Sequence, residues 1–283
     1  MRTLCLRFSL PLCLSLAFAV GTVLIGPASA AEDDPWPAIR EQLYGNRPIA
    51  PGDGTVSLEA PYRSANDART VIGATLAAPD GQSIRAVTLV LDENPMPVSA
   101  VFHLSRPMAR FAFEATVRVN GPTPVHVVAE LTNGELVSTE GFVKTSGLGA
   151  CAAPPGSDPA IALATLGDMT IDIGHEARGS SSLLGEFSRL RNQQASLNLG
   201  ISHPSHSGMQ MDQITLLFIP MRYVETINID LDGQSFVEVT GSISLSENPE
   251  FRLSIPAATQ VVDVTMTDTN GTVSRKTQRL TSY

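Results

Sequence analysis

The stretch Ala109-Arg110-Phe111-Ala112-Phe113-Glu114-Ala115-Thr116-Val117-Arg118-Val119-Asn120 decides the fold class. Phe111, Phe113, Ala115, Val117 and Val119 alternate with Arg110, Ala112, Glu114, Thr116 and Arg118. A period of two puts the first set on a core and the second in water, as in one strand of a half-buried sheet.

The same texture extends outward on both sides. On the N-terminal side, strands are predicted over 70–76, 84–91 and 98–104, and on the C-terminal side over 125–131 and 136–143. Asp80-Gly81 and Asn133-Gly134 punctuate them as hairpin turns. After a break, strands resume near Met169 and are predicted over 195–201, 214–219, 224–231, 236–245, 251–255 and 261–267. Asp232-Gly233 and Asn270-Gly271 mark further hairpins, and 181–191 is compatible with a helical turn or two. Short strands at this spacing predict an all-β chain of two antiparallel sandwiches. One short helix precedes them. Asp34 is its expected cap, Pro35 fits the first turn, Trp36, Ile39 and Leu43 share a face, and Gly45 ends it.

The N-terminus reads as a secretory signal peptide over 1–30. Arg2 and Arg7 precede an uncharged, mostly apolar run from Phe8 to Ile25, and Ala28-Ser29-Ala30 forms the cleavage site. The mature chain is expected to begin at Ala31, in the periplasm. Leu12 before Cys13 argues against a lipoprotein, and no twin-arginine pair is present. Removing Arg2 and Arg7 takes the formal charge from −9 to −11, which argues against nucleic acid or anionic membrane as partners. Hydrophobic content of 43% against 17% charged supports a packed core. Of three cysteines, Cys5 and Cys13 leave with the leader, so Cys151 has no internal disulfide partner.

Cys151 sits in Ser146-Gly147-Leu148-Gly149-Ala150-Cys151-Ala152-Ala153-Pro154-Pro155-Gly156-Ser157. Such small, uncharged neighbours offer little to bury a structural thiol, and Pro154-Pro155 opposes a regular strand. Gly147, Gly149, Ala150, Ala152 and Ala153 read as a thin, pliant arm that can present the sulfur to a partner. No Lys, Arg or His lies nearby in sequence to activate the thiol. A handle activated by its partner fits this better than a self-activated nucleophile.

At this point the chain resembles the SoxYZ sulfur carriers, in the fused single-chain form found beside quinoprotein dehydrogenases. In the first half, Val56-Ser57-Leu58-Glu59-Ala60-Pro61 with Ala65-Asn66-Asp67, Asn94-Pro95 with Val101-Phe102, and Gly147 to Cys151 resemble SoxY. In the second, Ile201-Ser202-His203-Pro204 with Gly208, Ile219-Pro220 with Tyr223, Asn248-Pro249, and Asp268 with Asn270-Gly271 resemble SoxZ in the same order. The resemblance implies two immunoglobulin-like sandwiches: a SoxY-like one over 31–151, a Gly/Ala/Pro connector over 152–165, and a SoxZ-like one over 166–283. It also implies that Cys151 holds a sulfur intermediate covalently while separate periplasmic enzymes of sulfur oxidation, or of a quinoprotein dehydrogenase system, act on it. No cofactor or metal is expected. Two departures stand out. More than a hundred residues follow Cys151, where the family's cysteine lies at a free C-terminal end, and Ala152-Ala153 replaces Gly-Gly.

Other readings compete. A non-covalent adaptor for a periplasmic quinoprotein dehydrogenase would leave Cys151 incidental, and a cysteine hydrolase or thiol-redox protein would need a histidine that meets Cys151 in space. His203 and His206 are spaced as two metal ligands, but Pro204 and Gly208 make that segment a turn with no third ligand near in sequence. His103 and His126 fall in strands, and Asp230 and Asp232 flank a hairpin.

Overall fold

A computed structural model describes residues 34–147, 150, 159–174, 194–212 and 215–279. The expected signal peptide, Gly149, Cys151, Ala152, Ala153 and the ambiguous 181–191 segment lie outside the described residues.

The first half comprises α1 (Trp36–Tyr44), β1 (Ile49–Pro51), β2 (Val56–Glu59), β3 (Thr70–Ala77), β4 (Ile84–Leu91), β5 (Val98–Met108), β6 (Arg110–Val117), β7 (Thr123–Leu131) and β8 (Leu136–Val143). The second comprises α2 (Pro159–Ala164), β9 (Met169–Gly174), β10 (Gln194–Ile201), β11 (Val224–Leu231), β12 (Gln234–Gly241), β13 (Glu250–Pro256), β14 (Val261–Asp268) and β15 (Val273–Arg279). The chain is all-β, as its periodicity predicts. At the described end of the connector, α2 forms with Pro159 at its first position, a place that costs no helical hydrogen bond.

Two sheets face each other. One has nine strands in the order β1-β8-β7-β4-β5-β12-β11-β14-β15, the other six in the order β2-β3-β6-β13-β10-β9. Each contains strands of both halves. The halves join edge to edge twice, through antiparallel pairs β5–β12 and β6–β13. Val239 is opposite Phe102 at one junction, and Leu253 is opposite Phe113 at the other. The two sandwiches are therefore two continuous layers over one core. Edge strands expose unpaired backbone N–H and C=O groups, and this joining satisfies four such edges at once.

The core follows from the alternation. Phe111, Phe113, Ala115 and Val117 are all buried, and the Phe113 ring lies 4.3 Å from that of Phe102. One apolar cluster runs from Ile72 and Leu89 through these rings to Leu253, Val264 and Met266. The alternation fails at one place. Thr116 and Arg118, expected in water, are 3% and 2% exposed. The segment from Ile243 into the start of β13 covers them: Ser246 Oγ and the Glu250 N–H donate to Thr116 Oγ1 at 2.7 and 2.8 Å, and Arg118 Nη1 donates to Ile243 O and Leu245 O.

Helix α1 packs through its edges. No residue of it is buried. Its cap position falls on Pro35 rather than Asp34, and the Gly45 N–H closes its end onto Glu41 O at φ 59°. Trp36 stacks on His126 at 3.8 Å and 8°.

The predicted strand over 214–219 does not form among the described residues 215–219. Phe218 makes a single bridge to Met211 there. Leu216, Leu217 and Phe218 are consecutive rather than alternating, and all are about two-thirds exposed. An apolar run without an alternating partner row has no second face to pack, so apolarity alone overstates strand character.

Candidate functional site: the arm root and the seam

β8 delivers the chain to the cysteine segment, and the residues after it are held one by one. The Lys144 N–H donates to Tyr62 O at 2.8 Å, and the Ser64 N–H donates to Lys144 O at 2.7 Å. Arg63 Nη1 reaches Thr145 O at 3.2 Å. The Lys144 ammonium lies 5.0 Å above the Tyr62 ring, within cation–π range. Asp67 then takes Ser146 in a three-point grip. The Ser146 N–H lies 2.9 and 3.1 Å from the two carboxylate oxygens, and Ser146 Oγ donates to Oδ2 at 2.6 Å. Asp67 is 3% exposed.

Gly147 follows with φ 90°, a left-handed conformation that suits a residue without Cβ. Ala150, read from the sequence as part of the arm, has no exposed surface. Cys151 itself is outside the described residues.

The loop that grips Ser146 also reaches the second half. The Val119 N–H donates to Asp67 O at 2.8 Å. Arg69 Nη1 donates to Glu247 O and Asn248 O, both at 2.9 Å, and its Nη2 pairs with Glu250 at 2.7 Å. Asn94, 5% exposed, donates to Arg118 O at 2.8 Å and Ser244 Oγ at 3.0 Å, and accepts from the Asn120 N–H at 3.0 Å. Arg118 Nη1 donates to Ile243 O and Leu245 O at 3.1 and 2.8 Å. Such buried polar groups are strong specifiers of the joint, since losing one partner orphans the other.

A second polar knot lies behind Asn248. The His203 N–H donates to Asn248 Oδ1, and the Asn248 N–H donates back to His203 O, both at 2.9 Å. Asn248 holds φ 46°, a region asparagine tolerates. The Ser205 N–H donates to His203 Nδ1 at 2.9 Å, which leaves the ring proton on Nε2, facing Asp268 at 3.5 Å. Burial holds the His203 pKa down at about 4, against the opposing hydrogen bond and charge of Asp268. For Asp268, burial would raise the carboxyl. N–H donors from Thr272 and Asn270 and the Arg222 guanidinium at 2.7 Å outweigh it and hold its pKa below the ordinary value.

His203, with His206 and His126, is thus placed as a structural group. His206 turns its Nδ1 to Gln210 Oε1 at 2.8 Å, away from a shared ligand with His203. His126 meets Asp92 at 3.0 Å inside the fold, beneath Trp36. Among the described residues, no group of three or more His, Cys, Asp or Glu side chains is placed to hold a metal ion. Asp232 caps a turn, accepting from Gln260 and Val261 N–H groups at 2.9 and 2.8 Å.

The motifs that carry the family resemblance converge here. Asp67 grips the arm root, Asn94 and Asn248 tie the seam, and His203 and Asp268 support Asn248. The sequence reading missed Arg118 and Arg69. Their signal was a charged residue inside or beside a strand, and its meaning needed the opposing loop.

Comparison with known proteins agrees with this arrangement. The model of sulfur oxidation protein SoxY matches residues 40–151, and that of sulphur oxidation protein SoxZ matches 187–279. A SoxY region that ends on the cysteine, followed by a SoxZ region, defines a carrier protein of sulfur oxidation. The chain belongs to the SoxYZ family, with both parts fused in one polypeptide. No curated protein matches the chain. Among solved structures it is similar to superoxide reductase (neelaredoxin) from Ignicoccus hospitalis. Three structures of that protein show 14%, 17% and 14% identity, with 32% of this chain and 80% of theirs covered. Their TM-scores of 0.27, 0.25 and 0.27 are too low to carry an argument.

Proposed function

We propose that this protein is an exported thiol carrier that holds a sulfur intermediate on Cys151 in the periplasm, for partner enzymes of sulfur oxidation or of a quinoprotein dehydrogenase system. The observation that carries this reading is the coincidence at Cys151. The SoxY match ends on it, and the chain just before it is seated by Asp67 on a loop braced against the SoxZ half. The leader over 1–30 supports export.

The chemistry asks little of the carrier itself. Joining the Cys151 thiolate to a sulfur anion forms one S–S bond with loss of two electrons, which the partner enzyme accepts. Exchange with a partner's thiolate, which takes the bound sulfur into a new S–S bond as the bond to Cys151 breaks, returns the Cys151 thiolate. The carrier supplies a single thiol and a fixed place to find it.

Intact mass spectrometry of protein isolated from its native compartment tests the reading. An added mass on the mature chain, mapped to Cys151 and removed by a mild reductant, is expected. A thiol that is always unmodified during growth on reduced sulfur compounds would overturn it and favour a non-covalent adaptor.

A further inference from the structure

We propose that Asp67 is a positioning residue for the carrier cysteine: its carboxylate is the latch that sets where the arm leaves the body. The inference rests on the carrier reading above and deepens it. Its basis is the unequal use of the residues after β8. Lys144 is already secured through Tyr62 and Ser64, and β8 is paired along its length with β7 and at its start with β1. The grip on Ser146 adds nothing to either sheet, because Ser146 lies three residues past the end of the strand. What it controls is the chain that follows.

That chain is short. Ser146 is held at three points, Gly147 turns at φ 90° with open space where a Cβ would stand, and Ala150 is fully buried. Four peptide units separate the two seated residues, a span of at most about 14 Å. The next residue in the chain is Cys151. Bonds to an ionised carboxylate are roughly twice as strong as neutral ones, so Asp67 makes a firm latch from few atoms. Its backbone carbonyl is tied to Val119, and Arg69, two residues on, is tied to Glu247 and Asn248. The latch is therefore braced on the second half, and the departure point of the arm is set by both halves together.

The lone cysteine of the mature chain gives a direct probe. The reduced protein is labelled at Cys151 with a nitroxide, and its mobility is read by electron spin resonance, with exchange of the Ser146 amide read by mass spectrometry. Asp67→Ala is expected to raise Ser146 exchange roughly tenfold and to shift the label to a clearly more mobile spectrum. Asp67→Asn, which keeps one acceptor for the Ser146 N–H, is expected to fall between. Ser146→Ala, which removes only the hydroxyl bond, is expected to give a smaller change in the same direction, and it decides the matter if Asp67→Ala does not fold. A lower melting temperature with unchanged label mobility and unchanged Ser146 exchange would overturn the latch and leave Asp67 a purely structural residue. Neither readout needs cargo. Loss of the latch signal thus counts against this inference, whereas a persistently bare thiol counts against the carrier reading.

Discussion

Phe113 is the strongest test of a core shared by both halves. Its side chain is 2% exposed, its ring stands 4.3 Å from Phe102 and 6.4 Å from Phe111, and it is opposite Leu253 across the β6–β13 junction. Phe113→Ala leaves a cavity bounded by both halves. Phe-to-Ala changes at such sites cost about 3–5 kcal/mol. For a unit of this size each kcal/mol moves the melting temperature by about 2–4 °C, so a fall of roughly 10 °C is expected. The assay is calorimetry with urea unfolding followed by two probes. Because the layers and the core are continuous, the variant should melt in one transition at the lower temperature. Two separated transitions, with the second-half one unmoved, would refute the shared core. A melting temperature equal to the parent's would refute the inward facing of Phe113.

Three further outcomes follow from the seam and the arm. Asn94→Ala removes the amide's bonds to Arg118 O, Ser244 Oγ and the Asn120 N–H in a buried joint, so a loss of about 2 kcal/mol in urea unfolding is expected, and a neutral result would mean that water replaces the amide there. His203 makes stability pH-dependent with a definite sign. Its folded pKa of about 4 lies below the usual 6.5, so the unfolded chain binds the proton first as pH falls, and stability is lost between about 6.5 and 4 and levels off below. Between pH 7 and pH 5 this amounts to about 2 kcal/mol, which a His203→Gln variant should not show. Asp268, with its depressed pKa, adds its loss at lower pH still, below the ordinary carboxyl range. Finally, Cys151→Ser should change stability by no more than about 0.5 kcal/mol while abolishing any covalently held mass. A large stability loss, together with slow labelling of the native thiol, would mark Cys151 as a structural residue instead.

Much of the fold was legible in one dimension. The alternation from Arg110 to Val117 announces a strand and its buried face, because side chains in a strand must point alternately to opposite sides. Asn133-Gly134, Asp232-Gly233 and Asn270-Gly271 announce hairpins, and each joins a paired strand couple through a glycine of positive φ. Asp80-Gly81, read the same way, also turns with positive φ at Gly81 but carries the chain from β3 to β4 in the opposite sheet, because a turn dipeptide fixes a reversal and not which strands pair. Cys151 stood out through its neighbours, and the ordered motifs around it pointed to the family that the comparisons bear out. Those readings use only local chemistry: side-chain volume, backbone freedom and period.

What the tertiary structure alone decided is how edges meet. Backbone hydrogen-bonding groups are the same in every strand, so nothing in the sequence says that β5 pairs with β12 or β6 with β13. Once they pair, Thr116 and Arg118 move from solvent to the buried seam; within the first half, closure of the layers likewise sets the loop of Asp67 against Ser146, 79 residues away in the chain. Leu216, Leu217 and Phe218 stay exposed for the complementary reason: among the described residues, no edge or layer covers them. A residue's own chemistry sets which environments it tolerates. Which distant partner fills that environment is settled only when the whole chain closes its layers, because long-range contacts are selected jointly and not one at a time.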